Sequence, residues 1–134
     1  MRTLMYASHS VRSAQSAYRD NAVATASPAR LLVMLVERLV LDIERGLVAQ
    51  QAEDWPQAHQ HLLHAQDVVV ELESSLDVDK MPAGRQLASL YEFLRGHLVL
   101  GNVRRDAHVT HEALTIARQL CDTWRQAAMA AAVS

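Results

Sequence analysis

A helix start signal at Ser27 and Pro28 governs the first third of the chain. The Ser27 hydroxyl can accept a hydrogen bond from an unpaired first-turn N–H, and Pro28 fits the first turn because it has no N–H to leave unpaired. The residues that follow, up to Gln50, are rich in Leu and Val on more than one side of a helix. A surface helix of a small domain needs a single apolar stripe. The segment therefore predicts a helix with one core-facing side and further apolar surface elsewhere.

The composition favours an all-α fold. The 134 residues include four Gly and three Pro, too few for a turn-rich β fold, and half are hydrophobic. We predict one domain over residues 1–134, with a polar N-terminal arm (residues 1–26) and helices over about residues 28–50, 56–76, 84–103 and 107–131. Asp54 and Asp106 are the expected N-caps of the second and fourth helices. Short connections make neighbouring helices antiparallel, which gives an up-down four-helix bundle.

Charge and hydropathy exclude several classes of protein. The formal net charge of −2 argues against binding to nucleic acid, and no apolar run approaches the ~18 residues that suggest a membrane span. The N-terminus lacks the apolar stretch of a secretory signal. The single cysteine, Cys121, fits a reducing compartment. We therefore expect a cytoplasmic protein.

Helical wheels assign a core-facing stripe to each helix. The stripes are Leu32, Leu35, Val36, Leu39, Val40, Ile43 and Leu47; Ala58, Leu62, Ala65, Val69, Leu72 and Leu76; Leu87, Leu90, Tyr91, Leu94 and Leu98; and Val109, Ala113, Leu114, Ala117, Leu120, Cys121, Trp124 and Ala128. The fourth helix needs no second partner, because its opposite face is polar.

Three helices carry a second apolar line outside the core stripe. The lines are Met34, Leu41 and Val48; Pro56, Leu63 and Val70; and Phe93, Gly96 and Leu100, with Val103 on the same face. Two interpretations stay open: these residues form surface grooves for a partner's helix or extended peptide, or the N-terminal arm and the splay of the helices cover them. Gly96 either admits a partner's backbone or allows close packing inside the bundle.

Catalytic and metal-binding patterns are absent from the sequence. The inward-facing Glu-x-x-His motifs of di-metal bundles do not occur, and His59, His61 and His64 point in different directions, so solvated histidines are expected. The segment after Asp77 lacks the Gly and the closing Glu of a calcium loop. No acid, base and nucleophile converge. We predict that the protein is not an enzyme and has no metal site or cofactor.

The ordered motifs resemble those of the FliS family of flagellar export chaperones. AYRDNAVATASPARLLVML is similar to the family's opening signature, LLHAQDVVVELESSLD to its second and LASLYEFLRGHLVLGNVRRD to its third. Leu120 and Trp124 match a Leu-x-x-x-Trp pattern near its end. The family's usual Tyr-Asp pair is Val36-Glu37 here, and the loop before the third helix has one Gly where the family usually has a pair.

This resemblance implies a helical bundle that binds the disordered C-terminal segment of flagellin in surface grooves. Such a chaperone blocks premature polymerisation and delivers flagellin to the flagellar type III export gate. Eight residues of the second apolar lines are the candidate flagellin contacts: Met34, Leu41, Val48, Leu63, Val70, Phe93, Gly96 and Leu100. The family's arm can cover an apolar groove, a role that would fall here to Tyr6, Val11, Tyr18 and Val23.

Two other functions compete with this interpretation. A generic helical adaptor, or a structural bundle that forms homodimers, would bury the second apolar lines against another copy. A metal-binding bundle would use the histidines. Light scattering and metal analysis separate these alternatives from a chaperone.

Overall fold

Four helices make up the part of the chain that the structure describes, residues 27–133 of a computed structural model. They are α1 (Pro28–Gln51), α2 (Trp55–Ser75), α3 (Gly84–Val103) and α4 (Ala107–Val133). Helix α1 packs against α2 and α4, and α3 packs against the same two helices, while the diagonal pairs α1–α3 and α2–α4 do not pack along their lengths. The prediction of an all-α antiparallel four-helix bundle is confirmed. No helix end differs from its predicted position by more than two residues; the single domain over residues 1–134 stays a prediction.

Side-chain caps begin three of the four helices. The Arg30 N–H donates to Ser27 Oγ (3.1 Å) and the Gln57 N–H to Asp54 Oδ1 (3.3 Å). Asp106 Oδ1 accepts from the N–H groups of His108 (3.0 Å) and Val109 (3.2 Å). Each cap satisfies donors that the helix itself leaves free, so these residues fix where α1, α2 and α4 begin.

Helix α3 begins without a side-chain cap. Ala83, the residue before it, has a left-handed backbone (φ 59°). A Cβ on Gly84 would collide with the backbone of Val78, so only glycine permits this close approach of the loop to the start of the helix. The loop after α2 is therefore held by backbone contact.

The core contains most residues of the predicted stripes, though Val109 and Ala128 lie outside its buried cluster. The buried cluster consists of Val36, Leu39, Ile43, Leu47, Leu62, Ala65, Val68, Val69, Leu72, Tyr91, Leu94, Leu98, Ala113, Leu114, Ala117, Leu120 and Cys121. The wheels did not assign Val33 or Val68 to the core, although both are buried, nor Ile116, which packs partly buried against the cluster. Val68 and Ile116 lie at the border of their stripe, next to a neighbouring helix, where contact between helices widens the buried face.

Two turns lie at one end of the bundle, which we call the turn end: the α1–α2 turn (residues 52–54) and the α3–α4 turn (residues 104–106). Gln50 Nε2 donates to the Gly101 carbonyl (2.9 Å) and so ties α1 to α3 across this end. A Cβ on Gly101 would lie 2.5 Å from Thr110 Oγ1 of α4. The turn end is therefore tightly packed.

The length and hydropathy of these helices bear on membrane insertion. None of those within residues 27–133 is both long enough and apolar enough to cross a bilayer.

Candidate partner-binding surface

The α1 line of predicted contact residues lies on the side of the helix away from the core. Leu41 is 36% exposed and Val48 is 64% exposed, whereas Met34 is half-buried. Val48 borders a shallow depression of about 510 Å³ between α1 and α2, with Arg45 and His61 on its walls. This line is apolar but has charged neighbours along its whole length.

The α2 line faces the boundary between α2 and α3. Arg95 of α3 pairs with Glu73 of α2 (2.7 Å), and Asn102 donates to His59 Nδ1 (2.9 Å). On α3, Val99 lies on the same side of the helix as Arg95 and Asn102. On α2, Leu63 and Val70 lie on the same side as His59 and Glu73. The antiparallel arrangement therefore places Val99, Leu63 and Val70 along the same boundary between α2 and α3. Val70 is 47% and Val99 41% exposed.

The α3 line forms an exposed apolar surface on the outer side of its helix. Phe93 is 53% and Val103 75% exposed, and Leu100 is half-buried on the same side. The Phe93 ring stacks on His97 (centroids 4.9 Å apart), whose Nε2 lies 3.2 Å from Glu112 Oε1 of α4. The surface therefore extends from the α3–α4 boundary to Val99 on the α2–α3 boundary. We call Phe93, Gly96, Val99, Leu100 and Val103 the α3 outer face.

Gly96 lies at the centre of the α3 outer face and faces open space. A Cβ built on it meets no atom within 4 Å. Close packing inside the bundle, one of the two interpretations of this glycine, is therefore wrong for the described residues. The absent side chain leaves the α3 backbone accessible among exposed apolar side chains, where another chain can approach closely.

The eight predicted contact residues thus lie on three separate surfaces: the outer side of α1, the α2–α3 boundary and the α3 outer face. Sequence reasoning missed Val99, because the wheel places it between the core stripe and the second line. It put Val103 on the right face but did not include it among the contacts. Met129, 70% exposed near the end of α4, is a further exposed apolar residue, on the helix whose outer face is polar.

The proposed arm residues Tyr6, Val11, Tyr18 and Val23 lie outside the described residues. Their role as a groove cover stays a prediction.

Three of the histidines, His59, His64 and His97, bond side chains of neighbouring helices, although His59 and His64 are exposed. His64 Nδ1 bonds Asp42 Oδ2, and Arg38 Nε lies 3.2 Å from Asp42 Oδ1. Asp42 is fully buried between α1 and α2, which the sequence analysis did not foresee. His59 and His97 pair with Asn102 and Glu112 as described above. Within residues 27–133, no three His, Cys, Asp or Glu side chains cluster as a metal site would require.

The side chains whose pKa is shifted have structural roles. Burial raises the pKa of the Cys121 thiol and that of the Tyr91 hydroxyl, so both stay protonated. The hydrogen bond to Glu73 raises the pKa of Arg95 and stabilises its charged form. A buried, protonated thiol is a poor nucleophile. These residues therefore hold helices together and offer no acid–base chemistry.

Comparison with known proteins places the whole bundle in one family. Residues 11–131 match the family model described as flagellar protein FliS. The flagellar secretion chaperone FliS of Bacillus subtilis is 25% identical over 117 residues, which cover 87% of each chain. That of Vibrio cholerae is 25% identical over 108 residues (80% of this chain, 79% of the relative), and that of Campylobacter jejuni is 27% identical over 114 residues (84% and 89%).

Proposed function

The chain belongs to the FliS family of flagellar secretion chaperones, and from this premise we propose that it binds the disordered C-terminal segment of flagellin on its apolar outer surfaces. In this proposal the chain works in the cytoplasm, prevents premature polymerisation of flagellin and supports its delivery to the flagellar type III export gate. Membership of a chaperone family agrees with the prediction that the protein is not an enzyme.

The α3 outer face carries this proposal. Its apolar residues lie on both sides of an exposed glycine in the middle of a helix, and no described residue packs over that glycine. An exposed helical glycine costs about 1 kcal/mol of stability relative to alanine, and nothing inside the described fold offsets that cost. Close approach of a partner's backbone would explain why glycine occupies this position. A helix or an extended strand lying across Gly96 would contact Phe93, Val99 and Val103 together.

The energetics favour a long client segment over a short one. Covering the exposed part of a large apolar side chain contributes on the order of 1 kcal/mol. Ordering a disordered segment opposes binding, so a client must cover several such side chains to bind with moderate affinity. The outer side of α1 and the α2–α3 boundary supply further apolar contacts. A segment that wraps from one surface to the next would use all three.

The mechanism requires no chemical step. Flagellin segments with exposed apolar faces would otherwise pair with each other, and the chaperone supplies temporary partners for those faces. Binding then follows mass action. Release comes from a competing interaction at the export gate.

Calorimetry with a peptide from the C-terminal end of the same organism's flagellin tests the proposal. We expect a one-to-one complex with a negative heat-capacity change, because apolar surface is buried. Phe93→Ser should weaken binding about tenfold, the loss of about 1.4 kcal/mol of contact energy. Met129→Ser is the matched control, since it removes a similarly exposed side chain on another helix, and it should leave the affinity unchanged.

A homodimer is the alternative outcome of the same experiment. If no heat is released and light scattering gives twice the monomer mass, the α3 outer face serves self-association and the flagellin proposal is wrong. If Phe93→Ser and Met129→Ser weaken binding equally, flagellin does not bind specifically at the α3 outer face.

A further inference from the structure

Three side chains link α4 to the α3 outer face. The Phe93 ring stacks on the imidazole of His97, with the ring centroids 4.9 Å apart and the ring planes 29° from parallel. His97 Nε2 lies 3.2 Å from Glu112 Oε1 of α4. Phe93 and His97 are four residues apart on α3, the spacing at which side chains meet on a helix surface. The polar contact between α3 and α4 therefore continues to an apolar ring that faces outwards.

Exposure to solvent differs along this link. The His97 side chain is 19% exposed and that of Glu112 is 49% exposed, whereas Phe93 is 53% exposed. The imidazole is mostly covered, and the Phe93 ring rests on it with about half of its surface free. His97 therefore offers little surface to a partner, whereas Phe93 offers much.

The bond to Glu112 fixes the orientation of the His97 ring. A carboxylate accepts hydrogen bonds, so the Nε2 nitrogen that faces it carries a hydrogen in the neutral and in the charged imidazole alike. Glu112 belongs to α4, and both α3 and α4 are held in place by the shared core. The position of the imidazole therefore depends on how α3 packs against α4, and not on α3 alone.

A fixed imidazole restricts the Phe93 ring before any partner arrives. An exposed side chain that touches nothing samples several rotamers, and ordering such a side chain on binding opposes association. A ring that is already held in one position loses less freedom when a partner covers it. The stack on His97 therefore favours binding at the α3 outer face without any contact between His97 and the partner.

We propose that His97 is a positioning residue for flagellin: held by Glu112, it keeps the Phe93 ring in the conformation that flagellin contacts. The inference rests on the proposed function, because Phe93 is one of the proposed flagellin contacts. It adds that the affinity for flagellin depends on two residues of the α3–α4 boundary, His97 and Glu112, which act through Phe93.

A double-mutant cycle, measured by calorimetry with the flagellin C-terminal peptide, tests this inference. His97→Gln removes the ring but keeps an amide that can donate to Glu112, and it should weaken binding about fivefold. In the Phe93→Ser background the same change should have no further effect, because no ring remains to be positioned. A direct contact between His97 and flagellin would instead give the same loss in both backgrounds.

Two further variants distinguish positioning from a general loss of structure. Glu112→Ala acts on the link from α4 and leaves the α3 side chains unchanged, so it should weaken binding about threefold in the natural protein and not at all in Phe93→Ser. His111→Gln is the matched control. His111 is exposed, and Arg118, seven residues further along α4, pairs with Glu44, so His111 lies on the side of α4 that faces α1. His111→Gln should leave the affinity unchanged.

NMR of the free protein gives a readout that needs no flagellin. The ring current of Phe93 should displace the signals of the His97 ring protons, and Phe93→Ser should remove that displacement. The inference is overturned if no displacement is seen, if His97→Gln binds as tightly as the natural protein, or if its effect persists in the Phe93→Ser background; in all three cases flagellin binding itself can stand. Absence of binding by the natural protein, in contrast, would overturn the proposed function and this inference with it.

Discussion

Glycines at four positions in this bundle have different structural roles. Gly46, Gly84 and Gly101 each lie where a Cβ would come within 3 Å of another residue, whereas Gly96 faces open space. All four appear alike in the sequence, because their roles depend on neighbours that are distant along the chain. Substitution by alanine separates them.

Gly96→Ala should raise the free energy of unfolding by about 0.5–1 kcal/mol, because alanine loses less backbone entropy in a helix and meets no clash here. Gly101→Ala should lower it by about 1–3 kcal/mol, because the new methyl group overlaps Thr110 Oγ1. Urea unfolding measures both. If Gly96→Ala destabilises the protein, the α3 outer face is packed against something. The same variant should also weaken flagellin binding, if a backbone approaches Gly96 as proposed.

The raised pKa of the Cys121 thiol predicts that the protein loses stability at alkaline pH. Burial raises the pKa of the folded thiol above 9.0, the ordinary value that the unfolded chain retains. The contribution of the protonated thiol is therefore complete below about pH 9 and is lost as the pH rises through 9 towards the folded pKa. The stability difference between the natural protein and Cys121→Ala, measured by urea unfolding from pH 7 to pH 10, should shrink above pH 9. A constant difference would contradict this assignment.

At the level of helices, each contact between neighbours combines apolar packing with one or two polar links. Helices α1 and α4 are joined by Arg118–Glu44 (2.9 Å) and Arg125–Glu37 (2.9 Å), both of them exposed. Helices α1 and α2 are joined by the buried Asp42 with His64. Exposed ion pairs contribute little to stability, whereas a buried carboxylate depends on its partners. The α1–α2 contact is therefore the one most sensitive to a change of charge.

Asp42→Asn should lower the free energy of unfolding by about 1–3 kcal/mol, since it removes the buried negative charge that bonds His64 and forms an ion pair with Arg38. Glu44→Gln, the control on the opposite side of α1, removes an exposed pair and should cost less than about 0.5 kcal/mol. Thermal or urea unfolding at pH 6–7 measures the difference. Equal costs would show that the buried carboxylate contributes no more than a surface ion pair.

At the scale of the whole molecule, the two tryptophans lie at opposite ends of the bundle. Trp55 begins α2 at the turn end, and Trp124 lies in the last part of α4, where it packs against the core. All four helices contribute to one buried cluster, so a helix loses its core contacts when the others unfold. A domain of this size with one core unfolds as a single cooperative unit.

Trp55→Phe and Trp124→Phe each leave a single fluorescent reporter. The urea midpoint from the fluorescence of either variant should coincide with the midpoint from its own far-UV circular dichroism. A fluorescence transition that precedes the loss of helix in the Trp124→Phe variant would mean that the turn end opens separately.

The local pattern of the sequence determined the helices of this bundle and most of its core. Caps such as Ser27, Asp54 and Asp106 act on N–H groups two or three residues away, and apolar spacing repeats within each helix, so both can be found without knowing any neighbour. The second apolar lines were found in the same way, and Phe93, Val48 and Val70 are exposed.

The tertiary structure alone decided how these residues are grouped. It separated the second apolar lines onto three surfaces, because the rotation of each helix depends on its neighbours. It buried Asp42 beside His64, placed Val99 and Val70 along one helix boundary, and brought Gln50 to the carbonyl of Gly101, 51 residues further along the chain. Such contacts follow from how helices pack, and no periodicity within a single helix encodes them.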